Sequence, residues 1–209
     1  MTDTPTAIDL SEERIDPTTP NNMAILADNV EEILTDFGWD MSNPSVENTP
    51  MRFLKYLLEF HKPFDAEKVL GVPFDSPDTA MVIQDGIPFR MICEHHLLPA
   101  VGRAAIGYIP AGKVIGLSKL ARLVDAVGTM RPSLQEHINH KIADILEDFL
   151  KPKGVMVVLE AEHGCMACRG VYTPGVITRS SVTRGAFLSD WAARYEFLEI
   201  AQRGVNRRG

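Results

Sequence analysis

Long apolar runs are absent from this 209-residue chain. No stretch approaches the roughly 18 consecutive apolar residues that a helix needs to span a bilayer, so we expect no membrane attachment. The N-terminal sequence MTDTPTAIDLSEERID is polar and acidic, unlike the apolar core of a secretory signal. The sequence therefore favours a cytoplasmic protein.

Cysteine is scarce as well, and acidic residues outnumber basic ones by 28 to 21. Three cysteines are too few, and odd in number, for a disulfide framework, which favours a reducing compartment. The formal net charge of −7 argues against broad, salt-driven binding of nucleic acid, although a local basic cluster could still hold a small anion. What the chain does have is an ordinary globular composition, with 45% hydrophobic and 23% charged residues.

The chain is predicted to comprise an arm, a helical segment and one main domain. Residues 1–22 are rich in proline, threonine and acidic side chains and have little to bury, so we expect a mobile arm. Residues 23–65 show helical periodicity from Met23 to Phe37, followed by a second helix that Asn48 or Thr49 can cap. Residues 66–209 form the predicted main domain.

The main domain is predicted to have an α+β fold. Runs at 80–83 and 87–92 flank Asp85-Gly86, which is typical of a hairpin turn. Further strands are predicted at 101–109, 113–115, 155–160, 170–172 and 176–182, with two helices between 117 and 149 and a third near the C-terminus. The two central helices can cover one face of the sheet, and we expect a neighbouring subunit to cover the other.

Five side chains that bind metals well lie in two short segments: Cys93, His95, His96, His163 and Cys165. Thiolate and imidazole are the usual zinc ligands, and three of them with one open position form a catalytic site. Buried apolar cysteines beside satisfied histidines are the alternative. Cys168 completes a Cys-x-x-Cys pair, which alone fits half of a structural zinc site or a redox pair.

Two further segments carry polar side chains suited to an anionic, purine-like ligand. Ser118 lies where a helix N-cap is expected, and Lys119 and Arg122 lie on the first turns of that helix. Such a helix start can bind a phosphate, and the alternative is a solvated basic face. Gln135 and Glu136 begin a helix. They either stabilise that helix, in part through its dipole, or bind the edge of a guanine. The local sequence leaves both alternatives open.

Taken together, these segments resemble the zinc-dependent GTP cyclohydrolase I family. The resemblance runs from about Asn48 to Leu198. Its landmarks are Asn48-Thr49-Pro50-x-Arg52, Cys93-Glu94-His95-His96-Leu97-Leu98-Pro99, the run from Tyr108 to Arg122, Gln135-Glu136, Glu160-Ala161-Glu162-His163-x-Cys165-Met166-x-x-Arg169-Gly170, and Arg184-Gly185.

The resemblance implies a role for each matching residue. Cys93, His96 and Cys165 would bind Zn²⁺, and His95 and His163 would act as acid–base groups. The triphosphate would be bound by Ser118, Lys119, Arg122 and Arg169, with Arg52 and Lys55 adding charge, and the guanine by Gln135 and Glu136. Cys168 would be a packed residue outside the metal site.

The resemblance also implies the reaction and the assembly. GTP would be converted to 7,8-dihydroneopterin triphosphate and formate by hydrolysis of the guanine imidazole ring. The implied fold is the tunnelling fold, an antiparallel sheet with two helices on one face, assembled into a homodecamer of two stacked pentamers with active sites between subunits.

Departures from the family pattern surround the guanine position and the second metal segment. The stretch before Gln135 is one residue longer than usual and contains Gly128, while Gly164, Arg179 and Ser180 replace more typical residues. None of these changes removes an implied ligand or acid–base group.

Two other classes compete with this assignment. A nucleobase deaminase needs His-x-Glu followed by Pro-Cys-x-x-Cys, and no histidine here is followed two residues later by glutamate. A non-enzymatic, ring-forming module that binds a pterin or nucleotide around a structural metal is the second alternative, and turnover of GTP separates it from the enzyme.

Overall fold

The computed structural model describes residues 16 and 18–206, with only the backbone of residues 202–206. The chain divides into two compact units between Glu59 and Phe60. Residues 1–15 and 17 of the predicted arm lie outside the described residues. The domain boundaries at 22 and 65 stay predictions. The first helix begins at Pro20, two residues before the predicted end of the arm.

The first unit contains α1 (Pro20–Asp36) and α2 (Thr49–Glu59). Thr19 caps α1 by accepting a hydrogen bond from the backbone nitrogen of Asn22, and Pro20 occupies the first turn, where its missing N–H costs nothing. No residue of α1 is buried, and Ile33 is 55% exposed. The apolar stripe of the predicted helix therefore exists but is at most half-buried in this protomer.

The second unit confirms the predicted α+β class. Its elements are α3 (Ala66–Leu70), β1 (Phe74–Asp75), β2 (Val82–Ile92), β3 (Pro99–Ile109), β4 (Lys113–Val114), α4 (Leu117–Thr129), α5 (Gln135–Leu150), β5 (Gly154–His163), α6 (Gly164–Ala167), β6 (Ile177–Gly185), α7 (Ala186–Ser189) and α8 (Trp191–Asn206). The main sheet has four antiparallel strands in the order β2-β3-β5-β6, and β1 pairs with β4 in a small second sheet.

The hairpin predicted at Asp85-Gly86 is wrong, because β2 continues through it as one strand. Gln84 pairs with Ile106 and Ile87 with Ala104, so two residues of β2 lie opposite one residue of β3. Gly86 adopts a φ of 65°, a conformation that serves a β-bulge as well as a turn. An Asp-Gly pair between alternating runs does not distinguish the two.

The strand predicted at 170–172 is also wrong. These residues form a turn closed by a hydrogen bond from the Thr173 nitrogen to the Met166 carbonyl at 2.9 Å. Gly170 and Tyr172 both have positive φ, which extended strands do not allow. Val171 and Tyr172 are exposed, so their apolar character does not mark a buried strand.

The main core fills the space between one face of the sheet and helices α4 and α5. Phe89, Ile106 and Leu159 contribute from the strands, and Leu123 and Ile142 from the helices; all five are at most 1% exposed. Burial of such side chains is the main stabilising term of the fold. This is the helix-covered face that the sequence predicts.

The second face of the sheet is partly covered by the chain's own C-terminal helices. Phe187 of α7 and Phe197 of α8 are fully buried and pack with Ala105 and Met156 of the sheet. The expectation that only a neighbouring subunit covers this face is therefore wrong for this part of it. Val101, further along β3 on the same face, remains 59% exposed. Within the described residues, no helix is long and apolar enough to cross a bilayer.

Two glycines allow close approaches that position these elements. A Cβ at Gly128 of α4 would lie inside the contact distance of the Arg90 carbonyl oxygen, so this glycine lets α4 pack directly on β2. A Cβ at Gly102 of β3 would similarly collide with the Glu160 carbonyl. Gly128, one of the departures from the family pattern, is thus explained by packing.

Candidate functional site

The first cysteine segment is a tight turn between β2 and β3. The Cys93 nitrogen donates to the Leu98 carbonyl at 3.0 Å and the Leu97 nitrogen to the Cys93 carbonyl at 2.9 Å. Ser133, just before α5, pairs with this turn: its nitrogen donates to the Ile92 carbonyl at 3.0 Å and its carbonyl accepts from Glu94. These bonds fix the backbone that carries Cys93, His95 and His96.

The second segment reaches the same place because β5 pairs with β3. His163, the last residue of β5, lies opposite Ala100 at the start of β3, so Cys165 follows next to the turn. Gly164 fits tightly here, since a Cβ on it would lie 2.9 Å from the Pro99 carbonyl oxygen. The small residue is required by this approach.

Cys93, His96 and Cys165 form a group that could bind a metal ion. One ligand atom from each lies within 4.8 Å of the others, and the three side chains are respectively buried, exposed and half-buried. Burial and then the neighbouring Cys93 thiol raise the pKa of the Cys165 thiol, an effect that a bound cation would oppose. Two thiols and one imidazole match the donor set of a site that keeps a fourth position open.

Cys168 does not belong to this group. Its thiol donates to the Gly164 carbonyl at 2.8 Å, from the C-cap of α6 back to the first residue of this short helix. The side chain is exposed, so the expectation that Cys168 is packed is wrong. Its position outside the metal group agrees with the role that the resemblance implies.

His163 and Gln135 are joined by a hydrogen bond of 2.8 Å between the imidazole Nε2 and the amide Oε1. Gln135 is only 2% exposed and its amide nitrogen contacts three further acceptors, the Leu159 and Thr178 carbonyls and the Ser180 hydroxyl. Burial lowers the pKa of His163, and the Glu136 carboxylate partly opposes this shift. Glu136 itself is exposed on the first turn of α5.

Arg169 and His95 lie at the rim of the metal group. The Arg169 guanidinium contacts His96 Nε2 at 2.9 Å, and because a guanidinium only donates, the imidazole nitrogen accepts. The His95 ring stands edge-on to that of His96 with 6.3 Å between ring centroids, and both imidazoles are exposed. Arg169 thereby brings a fixed positive charge to the metal group.

The cluster of Ser118, Lys119 and Arg122 lies at the start of α4, but Ser118 is not the N-cap that was predicted. The cap is Gly116, without a side-chain hydrogen bond, and Ser118 is the second helical residue. Ser118 and Arg122 are exposed. The Lys119 ammonium lies over Gly71, where a Cβ would come within 3.1 Å of Nζ. Within the described residues, no hydrogen bond or ion pair links this cluster to the metal group.

Arg52 and Lys55 are exposed residues of α2, in the first unit. Asn139 and Ser180, by contrast, were not singled out from the sequence as functional. Their amide nitrogen and hydroxyl oxygen are 2.8 Å apart directly behind Gln135. A polar residue four positions after Gln135, on the buried stripe of α5, is the signal that could have identified Asn139.

Comparison with known proteins agrees with this arrangement. The GTP cyclohydrolase I family model matches residues 26–202. A GTP cyclohydrolase 1 from Halalkalibacterium halodurans is 46% identical over 171 residues, covering 80% of this chain and 90% of that protein. One from Aquifex aeolicus is 42% identical over 173 residues, covering 83% and 93% respectively. With the match extending over nearly the whole described chain, the protein belongs to the GTP cyclohydrolase I family.

Proposed function

We propose that this chain hydrolyses the imidazole ring of GTP to give formate and 7,8-dihydroneopterin triphosphate. Family membership supports a hydrolase of this type. The observation that carries the proposal is the assembly, within one protomer, of a Cys–His–Cys group beside the hydrogen-bonded pair His163 and Gln135. The cytoplasm is the compartment we propose, because the free thiols suit reducing conditions.

We propose Zn²⁺ as the metal and Cys93, His96 and Cys165 as its ligands. Two thiolates with one imidazole favour zinc over harder cations such as Mg²⁺. When bound, zinc would lower the pKa of a water molecule to about 7 and so supply a nucleophile at neutral pH. The short turn and the close fit at Gly164 hold the three donors together.

His163 and His95 are proposed to move protons during ring opening. As the C8–N bond breaks, the departing ring nitrogen takes up a proton, and a positioned imidazole can supply it. His163 is half-buried and hydrogen-bonded on one side, whereas His95 is exposed in the turn. This difference suits His163 to a fixed position in the site and leaves His95 open to exchange protons with solvent.

Binding of GTP is proposed to use the polar residues around these groups. Ser118, Lys119, Arg122 and Arg169 would hold the triphosphate, with Arg52 and Lys55 adding charge. The exposed N-terminus of α4 supplies free backbone N–H groups for the same purpose. Glu136 would accept hydrogen bonds from N1 and the 2-amino group of guanine, beside Gln135, for which the resemblance implies a guanine contact.

The assembly is proposed to be a ring of tunnelling-fold subunits forming a homodecamer with sites between subunits. The strand order leaves β2 and β6 as the two edges of the main sheet, and unpaired edges favour pairing with another copy. Exposed apolar residues such as Val101 and Ile177 offer surface to bury in such contacts. Light scattering should give the mass of a decamer, and an active monomer would contradict the shared site.

Turnover of GTP tests the proposed function. The zinc-loaded protein should release formate and form a product that becomes fluorescent after oxidation, as pterins do. Formate without a pterin would show that the reaction stops after ring opening. Absence of both products from zinc-loaded protein would contradict the proposed function and favour the binding module.

A further inference from the structure

The polarity of the hydrogen bonds around Gln135 can be assigned without ambiguity. Its amide nitrogen lies 3.1 Å from the Leu159 carbonyl and 3.2 Å from the Thr178 carbonyl. Carbonyl oxygens only accept, so the group facing them must be the NH₂ end of the amide. The oxygen end therefore faces His163, at 2.8 Å from Nε2.

This polarity determines the protonation pattern of the His163 ring. An amide oxygen cannot donate, so Nε2 must carry the hydrogen in this bond. In the neutral imidazole the other nitrogen, Nδ1, then holds the lone pair. The arrangement selects one of the two tautomers that a free histidine populates.

Two further residues hold Gln135 in place. The Ser180 hydroxyl lies 2.9 Å from the Gln135 amide nitrogen and 2.8 Å from that of Asn139. Gln135 and Asn139 are 2% and 1% exposed, so water does not compete for these bonds. The Asn139 oxygen has no partner among the described residues, and either orientation of its amide keeps the bond to Ser180.

We infer that Gln135 is a positioning residue which fixes His163 as the Nε2–H tautomer and leaves Nδ1 as the nitrogen available to the substrate. The inference rests on the proposed function of His163 in ring opening: Nδ1, unprotonated in the neutral ring, would accept a proton from the attacking water and then deliver it to the departing ring nitrogen. Gln135 would affect the reaction only through His163, because both of its amide protons already form hydrogen bonds within the protein. Ser180 and Asn139 support the same orientation from behind.

The first test measures the tautomer in the unmodified, zinc-loaded protein. Selective ¹⁵N labelling of histidine, with the His163 signal assigned by its loss in His163→Ala, distinguishes a protonated Nε2 from a protonated Nδ1. We expect the neutral His163 ring to be protonated at Nε2. A neutral ring protonated at Nδ1 would overturn the inference, and this measurement needs neither turnover nor a Gln135 variant.

The second test replaces Gln135 by methionine, which has a similar shape but cannot accept this hydrogen bond. By analogy with residues that orient metal-binding histidines, we expect kcat to fall about 10–100-fold. The KM for GTP should change little and the zinc content should stay that of the unmodified protein. A raised KM with unchanged kcat would instead show that Gln135 binds the guanine directly.

Gln84→Met is the matched control. Gln84 lies on β2 with a buried amide oxygen that has no hydrogen-bond partner among the described residues. The same chemical change there should leave kcat, KM and the His163 spectrum unchanged. If Gln84→Met lowers kcat as much as Gln135→Met, the effect is structural and the inference fails. If the unmodified protein does not turn over GTP, the proposed function fails, while the tautomer measurement still decides the polarity.

Discussion

The metal group and the α4 cluster differ in how much of their surroundings this chain supplies. Cys93, His96 and Cys165 are brought together by strand pairing and a hydrogen-bonded turn, and His163 beside them is held by a buried glutamine. Ser118 and Arg122 stand exposed at a helix start with no described bond to those groups.

This difference suggests separate roles for the two regions, one in the chemical step and one in ligand binding. The groups proposed to take part in ring opening are preorganised within one protomer, which would lower the free-energy cost of arranging them during the reaction. The side chains proposed to hold the triphosphate, such as Ser118 and Arg122, are exposed. The conformational entropy lost in ordering them would therefore reduce the free energy of ligand binding. Such a surface is also open to completion by a neighbouring subunit, as the proposed ring requires.

Loss of a metal ligand should have the largest effect on turnover. Cys165→Ser should lose zinc and all measurable activity, because the remaining pair of ligands no longer completes the site. Cys168→Ser should keep its zinc and most of its activity, since that thiol donates to the Gly164 carbonyl and lies outside the metal group. The zinc content and the formate release of the two purified variants test this prediction. If Cys168→Ser loses its zinc while Cys165→Ser keeps it, the ligand assignment is wrong.

Removing a cation from the α4 cluster should affect binding more than chemistry. Arg122→Ala should raise the KM for GTP about 10–100-fold, the equivalent of one charge-assisted hydrogen bond, with a smaller change in kcat. The zinc content should not change. Steady-state kinetics test this, with Lys68→Ala as the control: Lys68 is an exposed cation on α3 paired with Asp65. Equal effects of the two substitutions would show a general charge effect.

Ser180→Ala should produce a smaller change. Gln135 would keep the Leu159 and Thr178 carbonyls as acceptors for its two amide protons, so we expect kcat to fall by a few-fold at most. The buried Asn139 amide would lose its partner, which costs about 1–3 kcal/mol of stability. Ser180→Thr keeps the hydroxyl and should restore both quantities. A loss of kcat as large as that of Gln135→Met would mean that Ser180 itself acts on His163.

Gly128→Ala should change turnover least, because it lies outside both regions. The added Cβ would clash with the Arg90 carbonyl and push α4 away from β2. We expect a loss of about 1–3 kcal/mol in the free energy of unfolding. Urea denaturation measures it. An unchanged free energy of unfolding in Gly128→Ala would show that the packing of α4 on β2 accommodates the added Cβ and does not require a glycine.

The five candidate metal-binding side chains were identifiable from the sequence because thiols and imidazoles are rare and lie in two short segments, and the family resemblance then selected Cys93, His96 and Cys165 among them. Helices α4 and α5 were also predictable, since their apolar residues repeat at helical spacing. Neither signal depends on the tertiary fold.

Other features depend on contacts between distant parts of the chain. Asn139 and Ser180 are 41 positions apart, so only the packing of α5 on β6 shows that they meet. Asp85-Gly86 is compatible with a hairpin or a bulge, and pairing with β3 decides between them. Ser118 has the right chemistry for a cap, yet the helix begins one residue before it.

The coordination of zinc in the full-length protein tests the central claim most directly. X-ray absorption at the zinc edge distinguishes sulfur ligands at about 2.3 Å from nitrogen ligands at about 2.0–2.1 Å. We expect two sulfurs and one imidazole nitrogen from the protein, with the remaining position filled by a lighter atom, in both the unmodified protein and Cys168→Ser. Three sulfurs in the unmodified protein, or a lost sulfur in Cys168→Ser, would contradict the assignment of Cys93, His96 and Cys165.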